Sequence, residues 1–274
     1  MAEKFITITA EDQQRSNPKA GMVRAETRTM RGYANQRAHD LRIGPQPNYV
    51  VTDRTKLNRI LMAPISAKEM KKKAEERRAL KNPRRQMKSN AGVAVIGIIG
   101  FGTEAAEIFA KLSVEEQNQA LLEVAKAVAD EAKTSLEGLV WHADETAGHA
   151  HTAWCGYDFE GNPLSTTMKR GMLMRFQDRM AAIMNERAPG IERGRSKLDR
   201  LNAGANFAET VHLSVKQLHA KLPADIAAKE AELAELQNNI QGLIDREAEM
   251  QGRVDKTLQK LAATSDDEQR LSKG

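Results

Sequence analysis

The stretch Leu139-Val140-Trp141-His142-Ala143-Asp144-Glu145-Thr146-Ala147-Gly148-His149-Ala150-His151-Thr152-Ala153-Trp154 decides how this chain is read. Leu139-Val140-Trp141 favours a β-strand, Thr146-Ala147-Gly148 is small enough to turn, and Thr152-Ala153-Trp154 continues a second strand. With His142 ending one strand and His149 opening the next, the two-residue period puts His149 and His151 on one face, within reach of His142. Trp141 and Trp154 then share the opposite face. Three imidazoles so placed suit one metal ion, and Asp144 and Glu145 lie between them in sequence. The alternative is a polar hairpin whose histidines only satisfy hydrogen bonds. A zinc protease would place two histidines four apart around a glutamate on a helix, and no such string occurs. Cys155 has the parity of His151, but a lone strand cysteine more often fills a core.

Working outward, Val93 to Ile99 is an apolar, β-branched run expected to be a buried strand, and Gly21 to Met30 a first core strand. Phe5 to Thr9 is a strand or a tail. Residues 31–62 read as mixed helix and loop, interrupted by Pro45 and Pro47. Ser113 with Glu116 forms a capping box that opens a helix with Val114, Leu121, Val124 and Val128 on its apolar side. A helix from about Thr167 to Arg187 carries a Leu173, Phe176, Met180, Ile183 stripe and ends at Pro189-Gly190. Gly97-Ile98-Ile99-Gly100-Phe101-Gly102 imitates a dinucleotide-binding turn, but its spacing is reversed and the expected ribose-binding acid falls inside the capped helix. Those glycines are read as a sharp strand exit.

From Leu222 the pattern changes. Ile226, Leu233, Ile240, Glu247, Val254 and Leu261 form one heptad position, and Leu222, Lys229, Leu236, Leu243, Met250 and Thr257 the other; nine of the twelve are apolar. This predicts a coiled coil, with a helical hairpin as the alternative, and a polar, frayed end from Ser265 to Gly274. The expected organisation is therefore a tail or strand over 1–20, a domain over 21–220 with a basic insertion at 63–90, and a helical region over 221–274. The fold class is α+β: an antiparallel β-sheet with helices packed on one face and the metal site on the other, then the long helical C-terminal region.

The net charge of +5 hides a division: residues 1–100 hold 21 Lys/Arg against 9 Asp/Glu, and residues 101–274 hold 21 against 28. Lys68 to Lys88 is the densest basic stretch. It reads either as a solvated helix or as a contact for a phosphate backbone. One cysteine excludes a disulfide framework and fits a reducing, cytoplasmic setting. No apolar run approaches the ~20 residues that span a bilayer.

The string His142 to His151 resembles the H-x-D-E-x-x-P-H-x-H signature of the Mob/Pre plasmid mobilisation and recombination relaxases, a branch of the histidine-hydrophobe-histidine endonucleases. Upstream, His39-Asp40-Leu41-Arg42, Pro47-Asn48 and Arg54-Thr55-Lys56-Leu57-Asn58 resemble the family's first motif. Downstream, Phe159-Glu160-Gly161, Leu164-Ser165 and Ile191-Glu192-Arg193-Gly194 resemble its later strings, so the likeness spans about residues 22–220. Gly148 stands where the family usually has Pro, and Lys56 where it often has His.

The resemblance implies a metal-dependent enzyme that nicks one strand at a plasmid transfer origin, stays attached to the 5′ phosphate and later rejoins the strand. His142, His149 and His151 would hold Mn²⁺ or Mg²⁺. His39 leads as nucleophile over Tyr49 and Tyr33, with Glu145, or else Asp144, orienting it or taking its proton. Arg42, Asn48, Arg54 and Asn58, with Lys71, Lys72, Lys73, Arg77, Arg78, Arg84 and Arg85, would grip partly single-stranded origin DNA, and Lys169, Arg170, Arg175 and Arg179 could add to the grip. The C-terminal helix would pair two copies or bind an accessory protein. A DNA-binding plasmid protein without nicking activity would keep the charge but not need three histidines, and a metal-dependent hydrolase of another substrate would keep the histidines but not need the charge.

Overall fold

The computed structural model describes residues 13–210 and 215–271, the side chains of 208, 209, 215–221 and 259–271 excepted. The strand or tail expected at Phe5 to Thr9 lies outside the described residues. The chain divides near residue 210 into two units.

The first unit is built on a six-stranded sheet. β1 (Ala20–Thr29), β2 (Arg59–Met62), β3 (Gly92–Phe101), β4 (Leu136–His142), β5 (His149–Cys155) and β6 (Glu192–Arg193) lie in the order β2-β4-β5-β3-β1-β6. Four of the pairings are antiparallel, and β6 joins the edge of β1 in parallel. β2 and β6 are too short to show a two-residue period, and the sequence reading missed both.

One sheet face is covered by α3 (Thr103–Ala110), α4 (Val114–Glu131) and α6 (Arg170–Arg187). α4 begins at the expected capping box, with Glu116 N–H donating to Ser113 Oγ at 3.3 Å and Ser113 N–H to Glu116 Oε2 at 2.8 Å. Its Leu121, Val124, Ala125 and Val128 repeat at helical spacing and are buried with Val23, Ile99, Leu139, Trp154, Phe176 and Met180. Each large apolar side chain so buried contributes about 1.5–3 kcal/mol. Trp154 Nε1 also donates to Ala125 O at 2.9 Å.

Two helices share the other face, where the sequence reading expected only the site. α1 (Met30–Asp40) and α2 (Ala67–Ala79) bury Tyr33, Met70 and Ala74 on Ala94, Ala153 and Cys155. They cover one end of that face and leave the rest to the histidines. Cys155 is a core residue here, its thiol pushed up by burial, and not a ligand.

Three further expectations are corrected. The basic stretch is helical only to Ala79, and residues 80–91 form a loop with Asn82 at φ 46°. The helix expected from Thr167 is interrupted: α5 (Leu164–Thr167) ends before α6 begins at Arg170. Gly97 and Gly100 lie inside β3, which runs on to Phe101, so they are no strand exit. A Cβ on Gly97 would sit 2.4 Å from the Trp154 ring and 2.5 Å from Thr152 Oγ1, so the glycine makes room for the indole. Gly97→Val is expected to destabilise the domain by about 2–3 kcal/mol in denaturant titration, from overpacking. A change within a few tenths would contradict this packing.

Two short helices, α7 (Lys197–Asn202) and α8 (Phe207–Thr210), end the first unit. Among the described residues the second unit is one helix, α9 (Val215–Leu271), not a hairpin; it runs through 265–271 of the end expected to fray, the last three residues of which lie outside the described ones. Its heptad side chains Leu222, Ile226, Leu233, Leu236, Ile240, Leu243, Met250 and Val254 are each about half exposed.

Candidate active site

The hairpin forms as its alternation requires. His142 and His149 are register partners at the turn end of the β4–β5 hairpin, and His151 sits opposite Val140. Trp141 and Trp154 lie on the helix-covered face. The ring of Trp141 explains Gly148: a Cβ there would meet the indole at 2.6 Å. The intervening turn is held from outside, with Ala143 N–H donating to Asn58 Oδ1 at 2.8 Å and Val51 N–H to Asp144 O at 2.7 Å.

The last turn of α1 supplies the other half. Thr29 caps the start of α1, accepting from Gly32 N–H at 3.2 Å, and the helix ends with His39 and Asp40 against the hairpin. Arg42 follows with φ 52°, a left-handed conformation that few non-glycine residues adopt.

The hydrogen-bond partners set the imidazole tautomers. His149 Nδ1 lies 2.8 Å from Ala147 O, and His151 Nδ1 lies 2.7 Å from Asp40 Oδ1, so both Nδ1 atoms donate. The two Nε2 atoms then face each other as bare lone pairs, 3.0 Å apart. His142 Nε2 is buried and has no hydrogen-bond partner among the described residues. The His142 and His149 ring centroids each stand 4.7 Å from that of His151. Only a cation between the lone pairs relieves their repulsion. Burial, reinforced by the neighbouring His151, pushes His149 down to about 4, and burial also lowers His142.

Beside the trio, Arg42 organises two carboxylates. Its guanidinium donates to Asp144 at 2.9 and 2.5 Å, to Glu145 Oε1 at 2.8 Å and to His39 O at 2.9 Å, and reaches His142 Nδ1 at 2.8 Å. Thr55 and Asn58 also donate to Asp144 Oδ2, at 2.9 and 2.8 Å. Burial alone would raise the Asp144 carboxyl, but these donors outweigh it and hold it well below the usual range. Glu145 behaves alike: burial raises it, and His39 and Arg42 together bring it down to about 2. His39 Nε2 lies 3.1 Å from Glu145 Oε1, while no bond joins Asp144 to His39 among the described contacts. The His39 ring stands 5.6 Å from His142 and 5.4 Å from His151.

This gives a pH dependence with a definite sign. A carboxyl lowered by folding stabilises above its ordinary value of 4.5 and loses that contribution as pH falls through about 2. Glu145 alone is expected to remove about 3 kcal/mol over that window, with Asp144 and Asp40 acting in the same direction. Melting temperature followed from pH 6 to 2 should fall steeply below 4.5. A flat profile would contradict the assigned network.

The remaining predicted residues divide. Arg54, Lys72, Arg84, Arg85 and Asn48 are exposed. Lys71 faces Glu75 at 3.3 Å across one helical turn. Arg78 donates to Arg85 O at 2.7 Å. Arg42 and Asn58 are engaged inside the site. Lys73 bonds Glu137 at 2.6 Å, and Arg77 donates to Thr134, Tyr157 O and Ser135 while lying 4.5 Å from the Phe159 ring. Tyr33 is fully buried with its hydroxyl on Ile65 O at 2.8 Å, and burial raises its pKa. The sequence reading missed Asp40, Gln36 and Thr55. Gln36 and Asp40 are four apart on α1 and bonded at 2.8 Å, a spacing visible in the sequence. Nothing in the sequence links Asp40 to a histidine 111 residues away.

The fold and this cluster together define an α+β sheet domain with a three-histidine hairpin site. A family model described as plasmid recombination enzyme, Mob_Pre, matches residues 17–209, and the chain belongs to that family. Among solved structures, it is similar to a MobM relaxase domain (MOBV; Mob_Pre) bound to plasmid pMV158 oriT DNA, Mn-bound at pH 6.8. That match has a TM-score of 0.58 at 19% identity and covers 73% of this chain and 98% of the other. A second Mn-bound complex of the same domain, at pH 5.5, gives 0.59 at 19% identity over the same shares. The curated proteins yield no match.

Proposed function

We propose that the chain is a plasmid mobilisation relaxase, nicking one strand of origin DNA in the cytoplasm with covalent attachment to the 5′ phosphate. The observation that carries this is the imidazole trio: two facing Nε2 atoms 3.0 Å apart, with the buried Nε2 of His142 beside them, 3.8 Å from Asp40. The donor set fits a divalent metal. Ligating atoms of His39, Asp40, His142 and His151 lie within 4.8 Å of one another, as do those of His142, Asp144 and Glu145. Asp144 accepts from Arg42, Thr55 and Asn58, Glu145 Oε1 from Arg42 and His39, and Asp40 from His151. We take His142, His149 and His151 as the ligands, since His149 Nε2 faces His151 Nε2, a member of the first group, at 3.0 Å. Imidazole donors lean toward Mn²⁺ over Mg²⁺, and the bound ion would polarise the scissile phosphate.

The chain's own residues do the rest. His39 donates its Nε2–H to Glu145, and its Nδ1, 3.2 Å from Arg42 Nη1, must leave that contact for its lone pair to reach phosphorus. As that nitrogen–phosphorus bond forms, the bond from phosphorus to the 3′ oxygen breaks, and the oxygen leaves with the electron pair and takes up a proton from water. The phosphoramidate retains the bond energy, so the reverse attack rejoins the strand. Glu145 stabilises the charge that develops on His39. Asp144 holds Arg42, and Arg42 in turn holds Glu145. Exposed Arg54, Lys72, Arg84, Arg85 and Asn48, with half-buried Lys71, contact the DNA. The exposed apolar row of α9 pairs with a second copy or an accessory helix. Among the described residues no helix is long and apolar enough to cross a membrane.

The test is relaxation of a supercoiled plasmid carrying the cognate origin, with Mn²⁺, followed by denaturing electrophoresis. Protein attached to the nicked strand supports the reading. Nicking without attachment indicates an ordinary nuclease, and binding without nicking a DNA-binding plasmid protein.

Asp40 is a positioning residue in this account: by accepting from His151 Nδ1 it turns Nε2 toward the metal. Asp40→Asn should weaken Mn²⁺ binding about 10- to 100-fold in calorimetry without DNA. Unchanged affinity would remove Asp40 from the account.

A further inference from the structure

A groove of about 630 Å³ lies at the β1 edge, between the start of α6 and residues 193–200. Arg24, Arg170, Arg193, Arg195 and Arg200 line it, and no carboxylate does so among the described residues. These side chains are held in place: Arg193 by Asp178 at 2.5 Å, Arg195 by Arg15 O at 3.1 Å, and Arg200 by Gln14 O at 2.8 Å. Met22, Leu173 and Met174 give the groove an apolar wall.

The groove is continuous with the histidine site across bare sheet. Strand register places His151 opposite Ile98, and Ile98 opposite Arg24. Two strand spacings, about 10 Å, therefore separate the imidazole cluster from the first arginine. Because α1 and α2 stop short, Ile98 between them is 40% exposed.

We infer that this groove is a second DNA surface, which grips the single strand a few nucleotides from the scissile phosphate; the inference rests on the nicking reading above. Guanidinium forks match phosphate oxygens in pairs, and an apolar wall beside a cationic track accepts unpaired bases. An acidic peptide would use the arginines but not the apolar wall or the open strip to the histidines. The densest basic stretch in the sequence is thus only part of the DNA footprint, since Lys73 and Arg77 of α2 are engaged within the fold.

The experiment is fluorescence anisotropy of the full chain with a labelled oligothymidylate of roughly 25 nucleotides, without metal, across a salt series. Arg170→Ala and Arg195→Ala should each weaken binding several-fold and flatten the slope of log affinity against log salt by about 0.7. Arg170→Lys should keep most of the slope. Lys126→Ala, which removes an exposed charge on α4 outside the groove, should match the parent. Three results overturn the proposal: parental slopes in both groove variants whose melting temperature is unchanged, an equal loss in Lys126→Ala, or displacement of the oligonucleotide by polyglutamate as effectively as by DNA. A parent that nicks origin DNA while the groove variants bind like it sinks the groove alone. A parent that binds but never nicks with Mn²⁺ sinks the relaxase reading and leaves the groove as a DNA surface.

Discussion

His149→Ala is expected to bind Mn²⁺ at least about 100-fold more weakly than the parent and to lose nicking at any practical metal concentration. The ring supplies one of the two facing Nε2 atoms, and its Nδ1 is fixed by Ala147 O, so no neighbour can replace it. Removing it also removes the repulsion between the lone pairs, so the metal-free variant should melt at or near the parent's temperature at pH 7. That separates a lost ligand from a lost fold. Full metal affinity in this variant would transfer the ion to the carboxylates beside Arg42.

His39→Ala should abolish the covalent protein–DNA product, a fall of about 10⁴-fold or more in single-turnover nicking, while metal binding and DNA affinity stay near parental. The ring is close to the trio and is held by Glu145 at 3.1 Å. Tyr33 offers no substitute, being buried with its hydroxyl on a backbone carbonyl. Tyr49 lies in the loop before Val51, where burial and the charge of Glu145 raise its pKa and make phenolate harder to form. Tyr49→Phe should keep the adduct. Its survival in His39→Ala together with its loss in Tyr49→Phe would reverse the assignment.

Much of this was legible because the information is local. The hairpin's two-residue period put three imidazoles on one face and two tryptophans on the other, and the Ser113 capping box marked the start of α4. The heptads of α9 likewise announced a long helix. What escaped is non-local or too short. A four-residue β2 and a two-residue β6 have no readable period. Gly97 looked like a turn because its reason, the Trp154 ring on the next strand, is 57 positions away. Charge density pointed to α2 for DNA, yet Arg77 is bound by residues some 60 to 80 positions on, while five dispersed arginines meet in one groove. Asp40 was read past because its partner is fixed only by the fold.

The most direct test is anomalous diffraction at the manganese absorption edge from crystals of this chain grown with Mn²⁺. The account predicts a single strong peak bounded by the Nε2 atoms of His142, His149 and His151, with Asp40 still bonded to His151 Nδ1. A peak between Asp144 and Glu145, or none near the imidazoles at saturating metal, would contradict it.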